Sequence, residues 1–276
     1  MLNIEPVLGR REREKGVLVY PVYSRRSGGL SVGINLFPDK KSCPFDCPYC
    51  EVFPFLSGKE FSLEQMEQDL RYVILSSLEQ GIVVRDICFS GNGEPSLSPY
   101  FGGALKLAQN IRAQTAPSSK LVVITNGAGL LQPQIFSLLQ SAAENPSLDI
   151  WLKLDAATPE WHQKINCSSL PFEELIEKKK EFFSCLKLQS GSATIQTMLC
   201  AINGAAPPQK EVEAWEELVC TTAEGVRKVQ LYGKARSAPQ DPLASQLPQE
   251  YLEKRSASLR SAFADRNISV PVETYL

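Results

Sequence analysis

Short apolar runs alternate with amphipathic stretches along most of this chain. Several of the runs are apolar almost throughout, which is typical of strands whose two faces are both covered. Strands that alternate with helices favour a parallel sheet flanked by helices. The pattern therefore predicts an α/β fold, a partial (β/α)6 TIM-like barrel with a short C-terminal α/β extension. The six predicted strands are Leu30–Phe37, Arg85–Gly91, Lys120–Gly127, Asp149–Asp155, Ala193–Cys200 and Val226–Gly233.

The best-marked predicted helix lies between Ser62 and Gly81. Ser62 and Gln65 have the spacing of a capping box, and a glycine is typical of the position just beyond a helix. Thr158, followed by Pro159 and Glu160, has the features of a helix cap and first turn. Further helical patterns cover about residues 103–113, the stretch after Gln132, 172–188 and 210–220.

The pattern divides the chain into three parts. Residues 1–28 are predicted to be an irregular N-terminal segment, and residues 29–235 to form the barrel. Residues 236–276 begin with a linker rich in proline and continue with a helix and the short strand ISVPVETY. We expect this last part to pack on the barrel as an extension.

Composition and charge limit where the protein acts. Lys and Arg number 29 against 31 Asp and Glu, a formal net charge of −2, which gives no overall attraction to nucleic acid or anionic membranes. No apolar stretch reaches the roughly 18 residues of a transmembrane helix. The N-terminal sequence MLNIEPVLGRREREK carries charges where a secretory signal would be apolar. We therefore expect a cytoplasmic protein that does not bind a membrane.

Basic residues are grouped near the N-terminus. Glu12 and Glu14 are interleaved with them, which favours a solvated surface segment over an RNA-binding surface. RNA contact stays open as an alternative with no further support. The basic residues are Arg10, Arg11, Arg13, Lys15, Arg25 and Arg26.

Three of the eight cysteines lie within the segment KSCPFDCPYC, at Cys43, Cys47 and Cys50. In a reducing compartment, clustered thiols more often bind metal than form disulfides. A C-x3-C-x2-C loop can hold three irons of a [4Fe-4S] cubane and leave the fourth iron open to a small molecule. A structural zinc would need four ligands, yet no second C-x2-C pair follows, and the only histidine, His162, lies in an unrelated helical context. We expect His162 to have a surface or capping role, and the other five cysteines to be small buried side chains.

A second motif, Gly91-Asn92-Gly93-Glu94 followed by proline, comes after the second predicted strand. Small residues allow a ligand to approach the backbone closely, and Glu94 adds a carboxylate. A plain strand-to-helix turn would have a similar composition. The position of the motif, one β/α unit after the cysteine loop, favours a binding site.

Polar residues also mark the ends of later strands, where active sites of β/α barrels collect. Lys153 and Asp155 share a face of the fourth strand by its period of two, so they are candidate catalytic residues. An ion pair inside the barrel is the alternative for these two residues. Asn126 and Tyr232 are candidate cofactor-binding residues, and Asn126 could instead form a turn. Gln196, Thr197 and Arg236 are further polar residues at these positions.

Together these motifs resemble the radical S-adenosylmethionine (SAM) superfamily. The likeness covers about residues 25–276 and includes a bacterial and archaeal branch of iron–sulfur oxidoreductase-like proteins. That branch is itself similar to the catalytic domain of tRNA wybutosine-synthesising enzymes. Besides the cysteine loop, the segments that carry it are GIN at Gly33, SGNGEPSL, ITNG, WLKLDAATPEWHQKIN, IQTML and VQLYGKARSAP.

The resemblance implies a reaction. A flavodoxin or ferredoxin would deliver one electron to the cluster, and SAM bound to the open iron would be cleaved to a 5′-deoxyadenosyl radical that abstracts hydrogen from a substrate. It also implies that Tyr49 lies near the adenine of SAM and that Glu94 holds the methionyl ammonium group. Two alternatives remain: an iron–sulfur electron carrier or sensor that does not cleave SAM, and a nucleic-acid-binding module with zinc. Within the radical SAM class, a tRNA-modifying enzyme is a further alternative.

Overall fold

A computed structural model describes residues 16–189 and 192–275 of the chain. The predicted basic group at residues 10–15 therefore lies outside the described residues. The chain divides into two compact units, each built from separate stretches. The first unit takes the described part of residues 1–43 together with 52–125 and 147–149. The second takes residues 44–51, 126–146 and the described part of 150–276.

Among the described residues, the first unit contains four complete strands and two α-helices. β1 pairs antiparallel with β2, whereas β2 with β3 and β3 with β4 are parallel. A long helix follows each of β2 and β3, so the predicted alternation of strands and helices is confirmed here. The elements are β1 (Val19–Ser24), β2 (Gly29–Ile34), α1 (Leu63–Glu79), β3 (Val84–Phe89), α2 (Phe101–Thr115) and β4 (Lys120–Thr125).

Helix α1 follows its sequence signals closely. The Ser62 side chain accepts a hydrogen bond from the backbone N–H of Gln65 at 3.3 Å, which satisfies a donor that the helix itself leaves free. At the other end Gly81 has a φ of +72°, a conformation that glycine adopts without strain. The inner face buries Met66, Leu70 and other side chains. The predicted helix between Ser62 and Gly81 is confirmed.

Strand β1 corrects the expectation that residues 1–28 are irregular. Residues 19–24 pair along their whole length with β2, from Val19 opposite Ile34 to Ser24 opposite Gly29. Pro21 made a strand hard to predict, because proline removes a backbone donor and is tolerated only at an edge. β1 is such an edge strand, paired on one side only among the described residues.

The second unit continues the alternation. From residue 150 onwards β5 pairs parallel with β6, β6 with β7, and β7 with β9, while β8 lies antiparallel to the end of β6. The elements are α3 (Pro133–Ala143), β5 (Leu148–Lys153), α4 (Pro159–Ile165), α5 (Phe172–Gln189), β6 (Ala193–Ile202), α6 (Gln209–Thr222), β7 (Lys228–Gly233), β8 (Ala244–Gln246), α7 (Gln249–Asp265) and β9 (Val272–Tyr275).

The C-terminal part combines one correction with one confirmation. The predicted linker contains the short strand β8, which pairs with Cys200–Ile202 at the end of β6. The predicted terminal helix and strand are present as α7 and β9, and β9 extends the parallel sheet beside β7. The boundaries predicted at residues 28 and 235 differ from those of the two compact units and stay a prediction. No helix in the described ranges is long and apolar enough to cross a membrane.

Candidate functional site

The cysteine loop leaves the first unit at Cys43 and continues in the second unit with Cys47 and Cys50. None of the three forms a disulfide, and all are partly exposed. The N–H of Cys50 donates to the carbonyl of Cys47 at 2.9 Å, so the last two cysteines lie on one tight turn. In the part of the chain that the structure describes, no group of three or more His, Cys, Asp or Glu side chains could hold a single metal ion.

In the first unit the two ends of the cysteine loop are joined by backbone pairing. Lys40 forms a bridge with Leu56, and the N–H of Ser57 donates to the carbonyl of Asp39 at 2.8 Å. The Ser57 hydroxyl also donates to the carbonyl of Pro38 at 2.7 Å. We call these residues, 38–40 and 56–57, the stem of the loop. The stem joins the loop's ends without any metal ligand.

The residue just before the first cysteine is bonded to the glycine-rich motif. The N–H of Ser42 donates to the carbonyl of Asn92, and the N–H of Glu94 donates to the carbonyl of Ser42, each at 2.9 Å. A Cβ at Gly93 would lie 2.0 Å from the Ser42 carbonyl oxygen, far inside contact distance. In this structure the group that approaches Gly93 closely is therefore the backbone of the cysteine loop.

Gly91 also has a close neighbour. Its φ is +153°, and a Cβ there would lie 2.6 Å from Oδ1 of Asn35. That same Oδ1 accepts the N–H of Asn92 at 3.1 Å. Asn35, just beyond β2, thus holds the motif against the strand that precedes the cysteine loop.

Glu94 is buried and has a fixed carboxylate. Its Oε1 accepts hydrogen bonds from the Ser96 N–H at 3.1 Å and from the hydroxyls of Ser96 and Thr125, each at 2.6 Å. The residue caps a one-turn 3₁₀ helix, Pro95–Leu97, and Thr125 is the last residue of β4. The motif therefore links the ends of β3 and β4.

In the second unit, Lys153 lies at the centre of a polar cluster. Its Nζ donates to the hydroxyls of Tyr49 at 2.6 Å and Tyr232 at 2.8 Å, and lies 3.2 Å from Oδ2 of Asp155. Both charged side chains are largely buried. The ion pair that the strand pattern left open as an alternative is present, and the cluster also joins two predicted cofactor-binding residues, Tyr49 and Tyr232.

Asp155 is held by more than its ion pair. Oδ1 accepts the N–H of Met198 at 2.9 Å, and Oδ2 accepts the Asn166 amide at 3.1 Å and the Tyr49 hydroxyl. Burial alone would raise the pKa of Asp155, but Lys153 and these hydrogen bonds outweigh it and hold the pKa below its ordinary value. Burial likewise opposes the charge of Lys153, yet Asp155 raises the pKa of that ammonium. Both groups are therefore charged at neutral pH.

Asn166, just beyond α4, connects this cluster to the cysteine loop. Its Nδ2 lies 3.5 Å from Sγ of Cys47, and its backbone carbonyl accepts the N–H of Asp46 at 3.0 Å. Burial raises the pKa of the Cys47 thiol to about 11. No local sequence signal marks Asn166 as a site residue, although it ends the segment WLKLDAATPEWHQKIN that carries the resemblance.

Two other predicted residues have local partners. Oδ1 of Asn126 accepts the N–H of Ala128 at 2.9 Å, as a turn-forming residue does, and its role towards a cofactor stays a prediction. Arg236 forms an ion pair of 3.1 Å with Glu51, the residue after Cys50. Gln196 and Thr197 are buried within β6.

His162 corrects the expectation of a surface residue. It is 5% exposed, and its ring packs edge-on against Phe45 of the cysteine loop, with centroids 5.5 Å apart. Phe172, the first residue of α5, lies 5.1 Å away on a tilted ring. Burial lowers the pKa of this imidazole, and Lys179 lowers it further. His162 is therefore part of the packing that supports the loop.

The donors present fit an iron–sulfur cubane. A cubane has its irons at separate corners, so each of three thiolates binds its own iron and the sulfurs need not converge on one point. Cys43, Cys47 and Cys50, none of which forms a disulfide, would be the three thiolates of such a site. A tetrahedral zinc site would instead require four ligands around one ion.

Comparisons with known proteins give a fold and two partial sequence relatives. No family model matches the chain. Two Helicobacter pylori proteins, from strains J99 and 26695 and each named UPF0026 protein, are 32% and 31% identical to it over 126 residues. These matches cover 44% of this chain and 38% of each relative, so the matched region spans less than half of either relative.

Solved structures match over nearly the whole chain. Streptococcus suis SuiB bound to its precursor peptide SuiA has a TM-score of 0.64 at 10% identity, covering 91% of this chain and 50% of its own. A radical SAM methyltransferase from Sphaerobacter thermophilus has 0.63 at 15%, covering 92% and 68%. TYW1 with a lysine–pyruvate adduct bound has 0.56 at 14%, covering 84% and 73%. The predicted partial (β/α)6 barrel is confirmed, and the resemblance to radical SAM enzymes is confirmed at the level of the fold.

Proposed function

We propose that this chain is a radical SAM enzyme that binds one [4Fe-4S] cluster on Cys43, Cys47 and Cys50 and uses SAM as its second cofactor. When bound, these groups supply reductive cleavage of SAM to methionine and a 5′-deoxyadenosyl radical, which abstracts hydrogen from a substrate. We further propose that it acts in the cytoplasm and takes its electron from a flavodoxin or ferredoxin.

The observation that carries the proposal is the backbone bonding of Ser42 to Asn92 and Glu94. It connects the residue before the first cysteine to the glycine-rich motif, the two features that the resemblance assigns to the cluster and to SAM. The combination of the cysteine loop, the glycine-rich motif and a fold similar to that of radical SAM enzymes supports the assignment of both cofactors.

The residues of the chain have separate tasks in this proposal. Each of the three cysteines ligates one iron. Glu94, whose carboxylate is fixed by Ser96 and Thr125, accepts hydrogen bonds from the methionyl ammonium group. The backbone of Gly91, Asn92 and Gly93 keeps that carboxylate beside the start of the cysteine loop.

The charged pair has a binding role rather than a proton-transfer role. Lys153 stays protonated and Asp155 stays ionised at neutral pH, because each raises the stability of the other's charge. An oxygen of SAM or substrate can therefore accept a hydrogen bond from Lys153 by replacing the hydroxyl of Tyr49 or Tyr232, which occupy two of its three N–H donors. Asp155 keeps the ammonium group in place.

The ligand assignment is tested by replacing Cys43, Cys47 and Cys50 singly with alanine. Cys185→Ala is the matched control, because Cys185 is also a partly exposed free thiol and lies on α5. Each protein is reconstituted with iron and sulfide without oxygen, and its iron, sulfide and visible spectrum are measured. We then expect dithionite and SAM to yield 5′-deoxyadenosine only with wild type and the control.

Each outcome of that experiment selects one function. Wild type that forms a cubane but releases no 5′-deoxyadenosine would favour an electron carrier or sensor. Wild type that holds zinc without sulfide would favour the zinc module. Unchanged product release from the three loop variants would overturn the ligand assignment.

The substrate class follows from a second assay. SuiB was solved with a precursor peptide bound, and the sequence resembles tRNA wybutosine-synthesising enzymes, so a peptide and a tRNA are the first candidates to supply. Deuterium transfer from a labelled substrate into 5′-deoxyadenosine identifies the class that is used. A lack of transfer from either class would direct the search to small metabolites.

A further inference from the structure

We infer that Asn166 is a positioning residue for the cluster. Asn166 holds Cys47 in place as an iron ligand and donates a hydrogen bond to the Cys47 sulfur. This inference rests on the proposed function, because it concerns a ligand of the proposed cluster. Asn166 lies 119 residues from Cys47 in the chain and is 3% exposed.

Three contacts hold Asn166 in place, two of them with the cysteine loop. Its backbone carbonyl accepts the N–H of Asp46 at 3.0 Å, the residue before Cys47. Its Nδ2 lies 3.5 Å from Sγ of Cys47 and 3.1 Å from Oδ2 of Asp155. Since the amide has two N–H groups, one can bond the carboxylate while the other bonds the sulfur.

The direction of the amide is set by its partners. Asp155 is ionised and accepts hydrogen bonds only, so the Asn166 nitrogen must face it and the amide oxygen must face away. Asp155 is itself fixed by Lys153 at 3.2 Å and by the N–H of Met198 at 2.9 Å. The donor that points at Cys47 is therefore fixed by a buried ion pair.

Ligation changes what the sulfur can do. As a thiol, Cys47 can donate to the Asn166 carbonyl at 3.7 Å. As a thiolate it has no proton to donate and only accepts, so the amide N–H becomes its partner. A hydrogen bond to a ligand sulfur stabilises the more negative, reduced cluster and raises its reduction potential.

The test compares Asn166→Ala and Asn166→Ser with Ser168→Ala. Ser168 is also buried and lies two residues away, but its hydroxyl accepts the N–H of Leu170 at 3.1 Å, a contact within the local turn. Iron and sulfide content, thermal unfolding and a redox titration followed by electron paramagnetic resonance are measured on each reconstituted protein.

We expect loaded Asn166→Ala to be harder to reduce than wild type. Its ratio of reduced to oxidised cluster at a fixed potential should fall by up to about tenfold, which is about 59 mV for a one-electron couple. A folded variant that no longer takes up iron would also support the inference, provided that Ser168→Ala loads fully. If Asn166→Ala does not fold, Asn166→Ser is measured in its place.

Full loading with an unchanged potential in a folded Asn166 variant would overturn the inference. That result leaves the proposed function intact, because the cluster is present. Failure of wild type to form any cubane would instead overturn the proposed function, so the two failures are distinct.

Discussion

Gly93 lies where the backbone of the cysteine loop passes the glycine-rich motif. A Cβ at this position would meet the carbonyl oxygen of Ser42 at 2.0 Å and the ring of Phe37 at 2.6 Å. The carbonyl belongs to a backbone bridge and cannot rotate away as a side chain could. The residue therefore has to be glycine for a reason internal to the protein.

We expect Gly93→Ala to lower the free energy of unfolding by about 1–3 kcal/mol, because the loop must move to admit the methyl group. Urea denaturation of the metal-free protein measures this cost. Gly103→Ala is the control, since its Cβ would touch only the Leu63 side chain, at 3.2 Å, on an exposed face of α2. It should change the stability by about 1 kcal/mol or less. Equal effects of the two substitutions would contradict the argument.

His162 gives the packing behind the loop a pH dependence. Burial lowers its pKa in the folded protein, so folding favours the neutral ring. This contribution to stability is fully present above the unfolded pKa of about 6.5 and is lost as the pH falls towards the folded value. The slope is at most about 1.4 kcal/mol per pH unit.

We expect His162→Gln to flatten the dependence of stability on pH below about pH 6.5, where the histidine begins to titrate in the unfolded chain. Urea denaturation at several pH values compares the two proteins. Above that pH both curves should run parallel. A slope that is unchanged in the variant would assign the pH dependence to other groups.

The residues that could be predicted are those whose signal is local. The spacing of Cys43, Cys47 and Cys50 and the alternation of Lys153 and Asp155 are both visible within a few positions. The contact of Asn166 with Cys47 spans 119 residues, and that of Thr125 with Glu94 spans 31. Such contacts depend on how the strands and helices pack together, and a short sequence pattern does not predict that packing.

At the scale of elements, the start of α4 depends on a carboxylate from α6. Glu211 is 2% exposed and accepts the N–H groups of Ala157 at 2.7 Å and Thr158 at 2.9 Å. It also accepts the Thr158 hydroxyl, while that hydroxyl accepts the N–H of Trp161 at 3.3 Å as the helix cap. The Glu211 side chain thus fixes the turn at the start of α4, the helix that contains His162.

We expect Glu211→Ala to cost about 2–4 kcal/mol of stability, because several buried donors lose their acceptor at once. Glu213→Ala is the control on the same helix, since Glu213 is exposed and bonds only Gln209 one turn away among the described contacts. Its effect should stay within about 0.5 kcal/mol. Chemical denaturation measures both. A loss confined to Glu213→Ala would refute the role of Glu211.

The strands that the sequence pattern did not predict are β1, at an edge of the sheet, and β8. β1 contains a proline, and β8 has only three residues within a proline-rich stretch. The six predicted strands contain no proline and are largely buried, so their apolar content was sufficient to identify them. A buried strand is marked in the sequence by its apolar residues, whereas pairing at the edge of a sheet requires no such pattern.

For the whole molecule, the proposal predicts that SAM stabilises the cluster-loaded protein. A ligand at about 100 times its Kd adds about 2.7 kcal/mol, which raises Tm by several degrees in a protein of this size. Glu94→Gln should reduce this rise at normal iron content, whereas Glu79→Gln, on an exposed position at the end of α1, should not. Thermal unfolding with and without SAM measures the effect. An equal rise in both variants would remove Glu94 from the SAM site.

The stem at Lys40 and Leu56 has a consequence for how this protein tolerates change. Because the chain is already closed there, an inserted residue between Cys50 and the stem only enlarges a closed ring. Ring enlargement has a small entropic cost, about 0.6 kcal/mol even for a doubling of length. An insertion between two of the cysteines would have the same small cost but would alter the ligand spacing. Insertional scanning across this ring should therefore separate the ability to fold from the ability to carry iron.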